Sequence, residues 1–387
     1  MSQPLSGIRI LDLSRLLPGA YGSQMLADFG ADVIKIEEPG HGDYSRTASL
    51  YGSNDPGIPF LAVNRNKRSI TLNLKLEQSR DIFLRLVRGA DVVLESFRPG
   101  VMERLGLGYE RLKEVNPGII YCAISGYGQD GPYRLRAGHD LNYVGYAGLL
   151  DYNRDTNGEP VLPATQLGDL VGGGYLSVIG ILAALMRRTR TGEGGMIDAA
   201  MTEGALSLLP LASATYLNTE QNPLPRHSML DGGLPNYNIY ETSDGKYLTL
   251  AALEPKFWQT FCEHIGHTEL LSIDRSLEER EEAKRILRSV FKSKTRDEWM
   301  AELAASDTCV GPVYNIDEAI NDSHMQARGV IVTNGPAQTL TTFPRITGVE
   351  MEQRYAPPAL GEHTSEILQE AGYSKTEITQ LMAEHII

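Results

Sequence analysis

Residues 5–37 read LSGIRILDLSRLLPGAYGSQMLADFGADVIKIE, and this stretch decides the fold. Residues 8–13 form an apolar run of strand length, residues 20–29 have helical spacing after a Pro-Gly pair, and residues 31–37 form a second apolar run. A strand, a helix and a strand in this order predict a βαβ unit. Its two strands are expected to be parallel and joined by a right-handed crossover.

The same alternation returns further along the chain. Helical spacing at 79–88 precedes an apolar run at 90–95, and a helical segment at 109–115 precedes another apolar run at 119–125. Repeated β and α segments predict an α/β fold with a doubly wound, Rossmann-like parallel sheet that binds its ligand at the carboxyl edge. The first strand-to-helix turn lacks the GxGxxG motif, so a nicotinamide cofactor is not expected.

The length of the chain and a stretch rich in Pro, Asn and Gly predict two domains. A chain of 387 residues, 42% of them apolar, exceeds what one hydrophobic core usually organises. The stretch 218–235 is rich in Pro, Asn and Gly and has the composition of a linker. We therefore expect a large α/β domain over residues 1–217, completed by residues 331–387, and a small α+β domain over residues 236–330.

The segments around the linker have their own patterns. A long helix is predicted at 173–188, and a second one from residue 197 into the 206–216 region. Alternating residues at 237–240 and 247–251 flank a Ser-Asp-Gly turn and predict a hairpin. The small domain is then predicted to continue with helices at 255–265, 277–291 and 295–305.

The charge and the cysteine content limit the possible partners. A formal net charge of −13 argues against nucleic acids and anionic membranes, because both require a basic face that displaces counterions from phosphate. The three cysteines show no CxxC spacing, so no metal site is expected. The longest apolar run, residues 176–186, is about half of what spans a bilayer. With no signal-peptide pattern at the N-terminus, we expect a cytoplasmic protein.

A histidine and an aspartate carry the candidate chemistry. His139 lies within AGHDLNY (137–143), and Asp169 lies within LGDLV (167–171), directly before three glycines. Two groups that titrate differently, each on a Gly-flanked turn, suggest proton transfer on opposite sides of one carbon. The structural alternatives are a turn histidine with a satisfied hydrogen bond and an aspartate that caps a helix.

Several separated motifs, in order, resemble the family III CoA-transferases and their racemase relatives, the CaiB/BaiF superfamily. They are the stretch from LSGIRI to GDYSR at 5–46, NRNKRSITLNLK at 64–75, ESFRPGVMERLGLGYERLKEVNPGIIY at 95–121, SGYGQDGPYR at 125–134, GDLVGGG at 168–174 and LGEHTSEIL at 360–368. The resemblance spans nearly the whole chain. It implies an enzyme that acts on acyl-CoA thioesters and needs no cofactor, because CoA is part of the substrate.

Two positions point to one branch of this family. Asp169 is shared by the branches, as a nucleophile toward the thioester in the transferases and as an acid or base in the racemases. The AGHDLNY segment resembles the racemase form with its histidine at His139, and AALEPKF at 251–257 resembles the racemase segment with its glutamate at Glu254. The resemblance therefore implies a racemase that interconverts (R)- and (S)-2-methylacyl-CoA.

This chemistry assigns a role to each catalytic candidate. One base cannot serve both faces of a held substrate, whereas His139 and Asp169 on opposite faces can alternate as base and acid. We expect Glu254 to hydrogen-bond His139 and fix its tautomer. Backbone N–H groups at the start of the helix after Asp169 are expected to stabilise the enolate oxygen, with Gly172–Gly174 allowing close approach.

The resemblance also implies the contacts to CoA. The positions that match are Leu72, Asn73, Lys75, Ser96, Phe97, Arg98, Arg104, Gly138, Asp140 and Tyr143. The chain departs from the family pattern at Glu38, where an arginine often stands near the nucleotide phosphates, and Arg46 or Lys35 are the expected substitutes. Arg98 and Arg104 are alternatively solvated surface charges, and Lys67 and Arg68 are expected to face solvent.

Two other functions compete with racemisation. A family III CoA-transferase would move CoA between carboxylic acids through an aspartyl-CoA thioester at Asp169. A CoA-binding protein without turnover would keep its affinity for thioesters after both catalytic candidates are replaced. The resemblance further implies an interlocked homodimer, with active sites formed by the large domain of one chain and the small domain of its partner.

Overall fold

The computed structural model describes residues 3–49, 57–272, 276–303, 305–335, 337–351, 353–384 and 386–387. The chain forms two compact units: the first comprises Met1–Leu150, Leu162–Leu209 and Gly329–Ile387, and the second comprises Asp151–Val161 and Pro210–Arg328. These bounds differ from the sequence-based ones, because the sequence predicts residues 151–161 and 210–217 in the large domain. Residues 155–158 instead share a cavity with residues 225–227 of the second unit.

The strands are β1 (Arg9–Asp12), β2 (Asp32–Glu37), β3 (Lys67–Thr71), β4 (Val92–Glu95), β5 (Ile120–Ser125), β6 (Gly195–Ala200), β7 (Tyr237–Glu241), β8 (Tyr247–Ala251), β9 (Val310–Pro312), β10 (Ile331–Asn334) and β11 (Ala337–Leu340). The helices are α1 (Pro18–Asp28), α2 (Ile58–Val63), α3 (Glu77–Val87), α4 (Val101–Arg104), α5 (Tyr109–Val115), α6 (Asp140–Tyr146), α7 (Leu149–Tyr152), α8 (Leu176–Thr191), α9 (Met201–Leu206), α10 (Pro210–Thr219), α11 (Pro255–His264), α12 (Leu277–Phe291), α13 (Arg296–Leu303), α14 (Ile316–Asn321), α15 (Ser323–Ala327), α16 (Thr364–Glu370) and α17 (Lys375–Ala383). A π-helix, Gly168–Tyr175, runs directly into α8, and 3-10 turns lie at Tyr44–Arg46 and Thr268–Leu271.

A six-stranded parallel sheet organises the first unit, in the order β3-β2-β1-β4-β5-β6. The predicted α/β class and the doubly wound sheet are therefore confirmed. After β1 the chain adds β2 and β3 on one side of this strand, and it then adds β4, β5 and β6 on the other side. The switch point of the topology therefore lies between β1 and β4. Ligand sites in such sheets lie beyond the carboxyl ends of the strands at this point.

Two edge strands were not predicted from the sequence. A helix was expected from residue 197, but Gly195–Ala200 pairs with β5 over its whole length and the helix begins only at Met201. The predicted start of the helix was wrong, because sheet pairing overrides the helix propensity of the Met and Ala residues at 196–200; the rest of the predicted range is helical in α9 and α10. β3 was missed because its sequence, KRSIT, opens with two charged residues.

Those two charges are buried, which corrects the prediction that they face solvent. Lys67 is fully buried, and its Nζ lies 3.2 Å from Asp12. Arg68 is almost fully buried and pairs with Asp32, Glu366 and Glu370. Ion pairing and hydrogen bonds allow long cationic side chains to leave water, and the spacing of residues along a strand does not reveal such partners.

Apolar side chains cover both faces of the sheet. Successive residues of a strand point to opposite faces, so Ile10 joins the layer that contains α1 and α8, whereas Leu11 joins the layer that contains α3 and α5. Residues of α16 and α17, including Ile367 and Ile378, complete the second layer. The C-terminal segment therefore belongs to the core of the first unit.

The π-helix and α8 form a continuous helical segment, Gly168–Thr191. Its most apolar window has a mean hydropathy of 1.7, so it is long and apolar enough to cross a membrane by length and composition. Val178, Ile181 and Leu185 pack into the core beside β5 and β6. One face of this segment therefore belongs to the core of the first unit, and 39% of the apolar window is buried.

The second unit is built on the antiparallel order β7-β8-β9. The predicted hairpin is confirmed, since β7 pairs with β8 in register from Tyr237–Ala251 to Glu241–Tyr247. Trp258, Phe261 and Phe291 form its aromatic core. The three predicted helices are confirmed as α11, α12 and α13, with ends that differ by at most two residues.

Candidate active site

Two adjoining cavities lie beyond the carboxyl ends of the strands in the first unit. The His139 cavity is lined by Ser96, Arg98, Arg134, His139, Tyr143 and Asp169, with other residues of the same segments. The Lys75 cavity is lined by Glu38, Tyr44, Leu72, Asn73, Lys75 and Val101, with their neighbours. Arg15 and Phe97 line both cavities, so the two cavities adjoin at these side chains.

The position of His139 is set by the start of α6. His139 is the extended residue before the helix, and its backbone N–H donates to Oδ1 of Asn142 at 3.1 Å. The backbone N–H of Asn142 donates in turn to the carbonyl of His139 at 2.8 Å. These bonds fix the backbone at the helix start, and the exposed imidazole lines the cavity.

Asp169 lies inside the π-helix and is half-buried. Its backbone N–H donates to Oδ1 of Asp140 at 2.9 Å, which brings a second carboxylate close to it. Burial, and then repulsion by Asp140, raises the pKa of the Asp169 carboxyl to about 7. A carboxyl group that titrates near neutral pH can act as an acid or as a base under cellular conditions.

The glycines after Asp169 serve packing, which corrects the role predicted for them. A Cβ on Gly172 would lie 2.6 Å from the carbonyl of Met201, and a Cβ on Gly204 would lie 2.2 Å from Cα of Gly172. The helix start is also occupied, since the N–H of Asp169 bonds Asp140 and that of Leu170 bonds Gln166. These two amides are therefore not free to stabilise an enolate oxygen.

The segment after β4 is held in place by a buried carboxyl group. Glu95 accepts hydrogen bonds from the backbone N–H of Phe97 at 2.6 Å and from the hydroxyl of Tyr121 at 3.1 Å. Burial raises the pKa of Glu95 to about 8. Oγ of Ser96 also accepts from the N–H of Arg15 at 3.0 Å. The loops after β1 and β4 are thus joined at the switch point, where they line both cavities.

The structure shows why Glu38 does not leave the Lys75 cavity negatively charged. The carboxylate of Glu38 lies 2.8 Å from Nζ of Lys75 and 3.6 Å from a guanidinium nitrogen of Arg15. The two substitutes expected from the sequence are engaged elsewhere. Arg46 forms a two-point contact with Glu37, and the fully buried Lys35 pairs with Asp43 at 2.9 Å.

Arg15 is the site residue that the sequence analysis missed. Its guanidinium carbon lies 5.2 Å from the ring centre of Tyr44 and 5.4 Å from that of Phe97, and the side chain donates to the hydroxyl of Tyr44 at 2.9 Å. The next residue, Leu16, has a φ of 61°, and Asp43 accepts its N–H. The signal that was available is its place directly after the first strand, at the expected switch point.

The remaining predicted residues fall in different places. Gly138 lines the His139 cavity, whereas Asp140 acts on it only through its contact with Asp169. Arg104 is exposed at the end of α4, outside both sets of lining residues. Glu254 is exposed in the second unit, where it precedes α11. Within the described residues, no group of three or more His, Cys, Asp or Glu side chains is arranged to hold a metal ion.

Comparisons with known proteins agree with this arrangement. The sequence pattern of CoA-transferase family III matches residues 5–364. The chain is 37% identical to alpha-methylacyl-CoA racemase of Homo sapiens, over 99% of this chain and 97% of that protein. It is 32% identical to succinyl-CoA:glutarate CoA-transferase of Mus musculus, over 100% of this chain and 90% of that protein.

A solved structure extends the likeness to the fold. A CaiB/BaiF family protein from Brucella suis superposes with a TM-score of 0.85 at 33% identity, covering 96% of this chain and 100% of that one. A six-stranded parallel sheet with an aspartate and a histidine beyond its carboxyl edge, and a sequence match over almost the whole length, lead to one conclusion. The chain is a member of CoA-transferase family III.

Proposed function

We propose that the protein is a racemase of 2-methylacyl-CoA thioesters that acts through His139 and Asp169. One observation carries the proposal: an exposed imidazole and a half-buried carboxyl group with a pKa of about 7 line the same cavity. Racemisation requires one acid and one base in the same site at neutral pH. The likeness to a racemase over the full length of the chain supports the same activity.

In the proposed reaction, one of the two groups takes the α-proton and the C–H electron pair moves into the enolate of the thioester. The other group then donates its proton to the opposite face of the α-carbon, so that a new C–H bond forms with inverted configuration. No electrons are lost, and the pair has exchanged its roles at the end. Four arginines line the cavity and supply positive charge for the enolate oxygen: Arg15, Arg98, Arg134 and Arg136.

We further propose that the Lys75 cavity receives the nucleotide part of CoA and that Arg15 contacts its phosphates. Arg15 carries its charge between the two cavities and is held between two aromatic rings, so little conformational freedom is lost on binding. The planar guanidinium suits phosphate oxygens. Arg15 would then replace the family arginine that is absent at Glu38.

Replacing Arg15 with glutamine is expected to weaken CoA binding roughly tenfold, because one charged hydrogen-bond donor to phosphate is lost. Glu38→Gln is expected to strengthen binding, since Arg15 and Lys75 lose a competing carboxylate. Isothermal titration calorimetry with CoA measures both effects. Arg111→Gln is the matched control, because Arg111 is exposed on α5, pairs with Glu114 and lines neither cavity. Unchanged affinity in Arg15→Gln would show that the phosphates bind elsewhere.

The pH dependence of racemisation is expected to follow the proton that the pair shares. The pair needs one proton in total, so a fully deprotonated pair has no acid. Because burial and Asp140 raise the pKa of Asp169 to about 7, kcat/KM is expected to fall as the pH rises through this value. The fall must be equal in both directions, since the equilibrium constant between enantiomers does not depend on pH.

Asp140→Asn tests this assignment. The amide oxygen of the introduced asparagine can still accept the backbone N–H of Asp169, but the repelling charge is gone. The pKa of Asp169 then falls, and the alkaline limb of kcat/KM moves to lower pH. Initial rates in both directions between about pH 5 and 9 measure the limb. A limb that stays in place or moves to higher pH would mean that Asp169 does not set it.

A CoA-transferase is the second candidate, because a succinyl-CoA:glutarate CoA-transferase matches the whole chain. The resemblance gives Asp169, which is half-buried, the role of nucleophile in such an enzyme. Incubating the protein with 2-methylacyl-CoA alone in deuterium oxide separates the two. A racemase incorporates deuterium at the α-carbon without any acceptor acid. A transferase incorporates none, moves CoA to an added carboxylate, and forms a thioester at Asp169 that hydroxylamine cleaves.

We propose that a second copy of the chain completes the site. No residue of α10 is buried, and its apolar side chains Leu211 and Leu217 are 67% and 77% exposed. On α8, Ile179 and Met186 are also exposed. Such apolar faces favour association. In such a homodimer, the exposed carboxylate of Glu254 would accept a hydrogen bond from His139 of the partner subunit. We propose that the homodimer is cytoplasmic and needs no further cofactor.

A further inference from the structure

A second concave site lies within the second unit, among residues that the proposed racemisation does not use. It has a volume of about 400 Å³, and we call it the Arg280 cavity. Its main lining residues are Asp155, Arg226, Arg280, Glu281, Lys284 and Arg288. They come from three segments of the same unit: residues 155–158, residues 225–238 and α12.

One face of α12 concentrates positive charge in this cavity. Arg280, Lys284 and Arg288 follow one another at intervals of four residues, so they lie above one another on the helix. Like charges at this spacing repel each other. Arg226, from the segment before β7, adds a fourth cation to the lining. Lys284 is only 6% exposed, so this face is not simply a solvated helix surface.

The carboxylates of the cavity do not balance these charges. Glu281 lies 2.7 Å from Lys284 and 4.0 Å from Arg288. Asp155 accepts hydrogen bonds from the backbone N–H groups of Asn157 at 2.8 Å and Glu159 at 2.9 Å, so its carboxylate is already bonded to the backbone of its own turn. Four cationic side chains therefore face two carboxylates that already have partners.

Two of the guanidinium groups form no close ion pair with a carboxylate of the described residues. Among the residues that the structure describes, the guanidinium nitrogens of Arg226 and Arg280 form no ion pair within 4.0 Å of a carboxylate oxygen. Nε of Arg280 is buried and has no hydrogen-bond partner there. A buried charged donor without an acceptor is costly, and an oxyanion in the cavity would provide that acceptor.

We propose that the Arg280 cavity binds a small phosphate-bearing dianion. The excess of two positive charges in the lining matches the charge of a phosphate group near neutral pH. Guanidinium groups bind phosphate oxygens through paired hydrogen bonds. The anion would join α12 to the segments at 155–158 and 225–227. Its binding does not depend on the chemistry proposed for Asp169.

Calorimetric titration of the full-length protein with inorganic phosphate and with AMP tests the proposal, and Arg15→Gln is titrated in parallel so that any binding in the Lys75 cavity is recognised. We expect one saturable site per chain for at least one probe. Tighter binding of AMP indicates a phosphate ester as the natural ligand, and tighter binding of inorganic phosphate indicates the free ion. Absence of saturable binding of both probes up to about 10 mM overturns the proposal.

Variants on the same helix locate the site. Arg280→Gln and Arg288→Gln are each expected to weaken the binding roughly ten- to a hundredfold. Arg285→Gln removes the same charge from a residue of α12 that does not line the cavity, since Arg285 is exposed and pairs with Glu282, and this variant is expected to bind like the wild type. Equal affinity in Arg285→Gln and in both cavity variants overturns the proposal. Phosphate-dependent thermal stabilisation that is lost in Arg280→Gln alone or in Arg288→Gln alone still supports it.

Discussion

Replacing Asp169 with asparagine is expected to lower the rate of racemisation by roughly 10²- to 10⁴-fold, the contribution of one general acid-base group. An amide neither accepts nor donates a proton at neutral pH, so one face of the α-carbon loses its catalyst. His139 remains on the other face. It can take the α-proton from the enantiomer that presents it and, after exchange with solvent, return a deuteron to the same face.

The expected signature is therefore selective, and not a uniform loss. In deuterium oxide, Asp169→Asn incorporates deuterium into one enantiomer without inverting it, as chiral chromatography and mass spectrometry would show. Asp130→Asn is the matched control, because Asp130 is exposed and does not line the His139 cavity. Loss of exchange with both enantiomers, together with loss of CoA transfer to a carboxylate, would favour the transferase.

His139→Gln is expected to produce the mirror image of this result. Racemisation falls by roughly 10²- to 10⁴-fold, but Asp169 can still remove the proton that faces it. Its pKa of about 7 leaves a substantial fraction ionised at neutral pH. Deuterium then enters the enantiomer that Asp169→Asn leaves untouched. A swap of the exchanging enantiomer between the two variants is a result that a single-base mechanism cannot give.

The control for this variant is His324→Gln, since His324 is exposed on α15 in the second unit. CoA binding is expected to stay within a factor of about two of the wild type in His139→Gln, because the imidazole lines the His139 cavity and not the Lys75 cavity. If both enantiomers still exchange and still interconvert at the wild-type rate, His139 is not an acid or base of this enzyme.

The core of the fold follows from residues close together in the chain. Apolar runs of strand length alternate with helical spacing, and this pattern predicts β1, β2, β4 and β5 and the helices α1, α3 and α5 within one or two residues. β3 and β6 escaped because their sequences are charged or helix-favouring. Their pairing depends on neighbours that are distant in sequence.

The residues of the candidate site were likewise only partly predictable from the sequence. Motifs that resemble those of the family drew attention to His139, Asp169 and Lys75, and each of them lines one of the two cavities. Arg15 stands in no motif that singles it out. Arg15 is a site residue because the fold places the loops after β1 and β4 side by side, so that its side chain lines both cavities. The order of residues in the chain does not show this neighbourhood.

The sequence by itself determined the α/β class and the family, and it pointed to the two residues that we propose as the acid-base pair, because these follow from local patterns and ordered motifs. Only the tertiary structure decided the state of those groups. Burial and the neighbouring Asp140 raise the pKa of Asp169 to about 7, and partners far along the chain neutralise Glu38 and bury Lys67. Charge depends on distances through space, and residue order does not contain those distances.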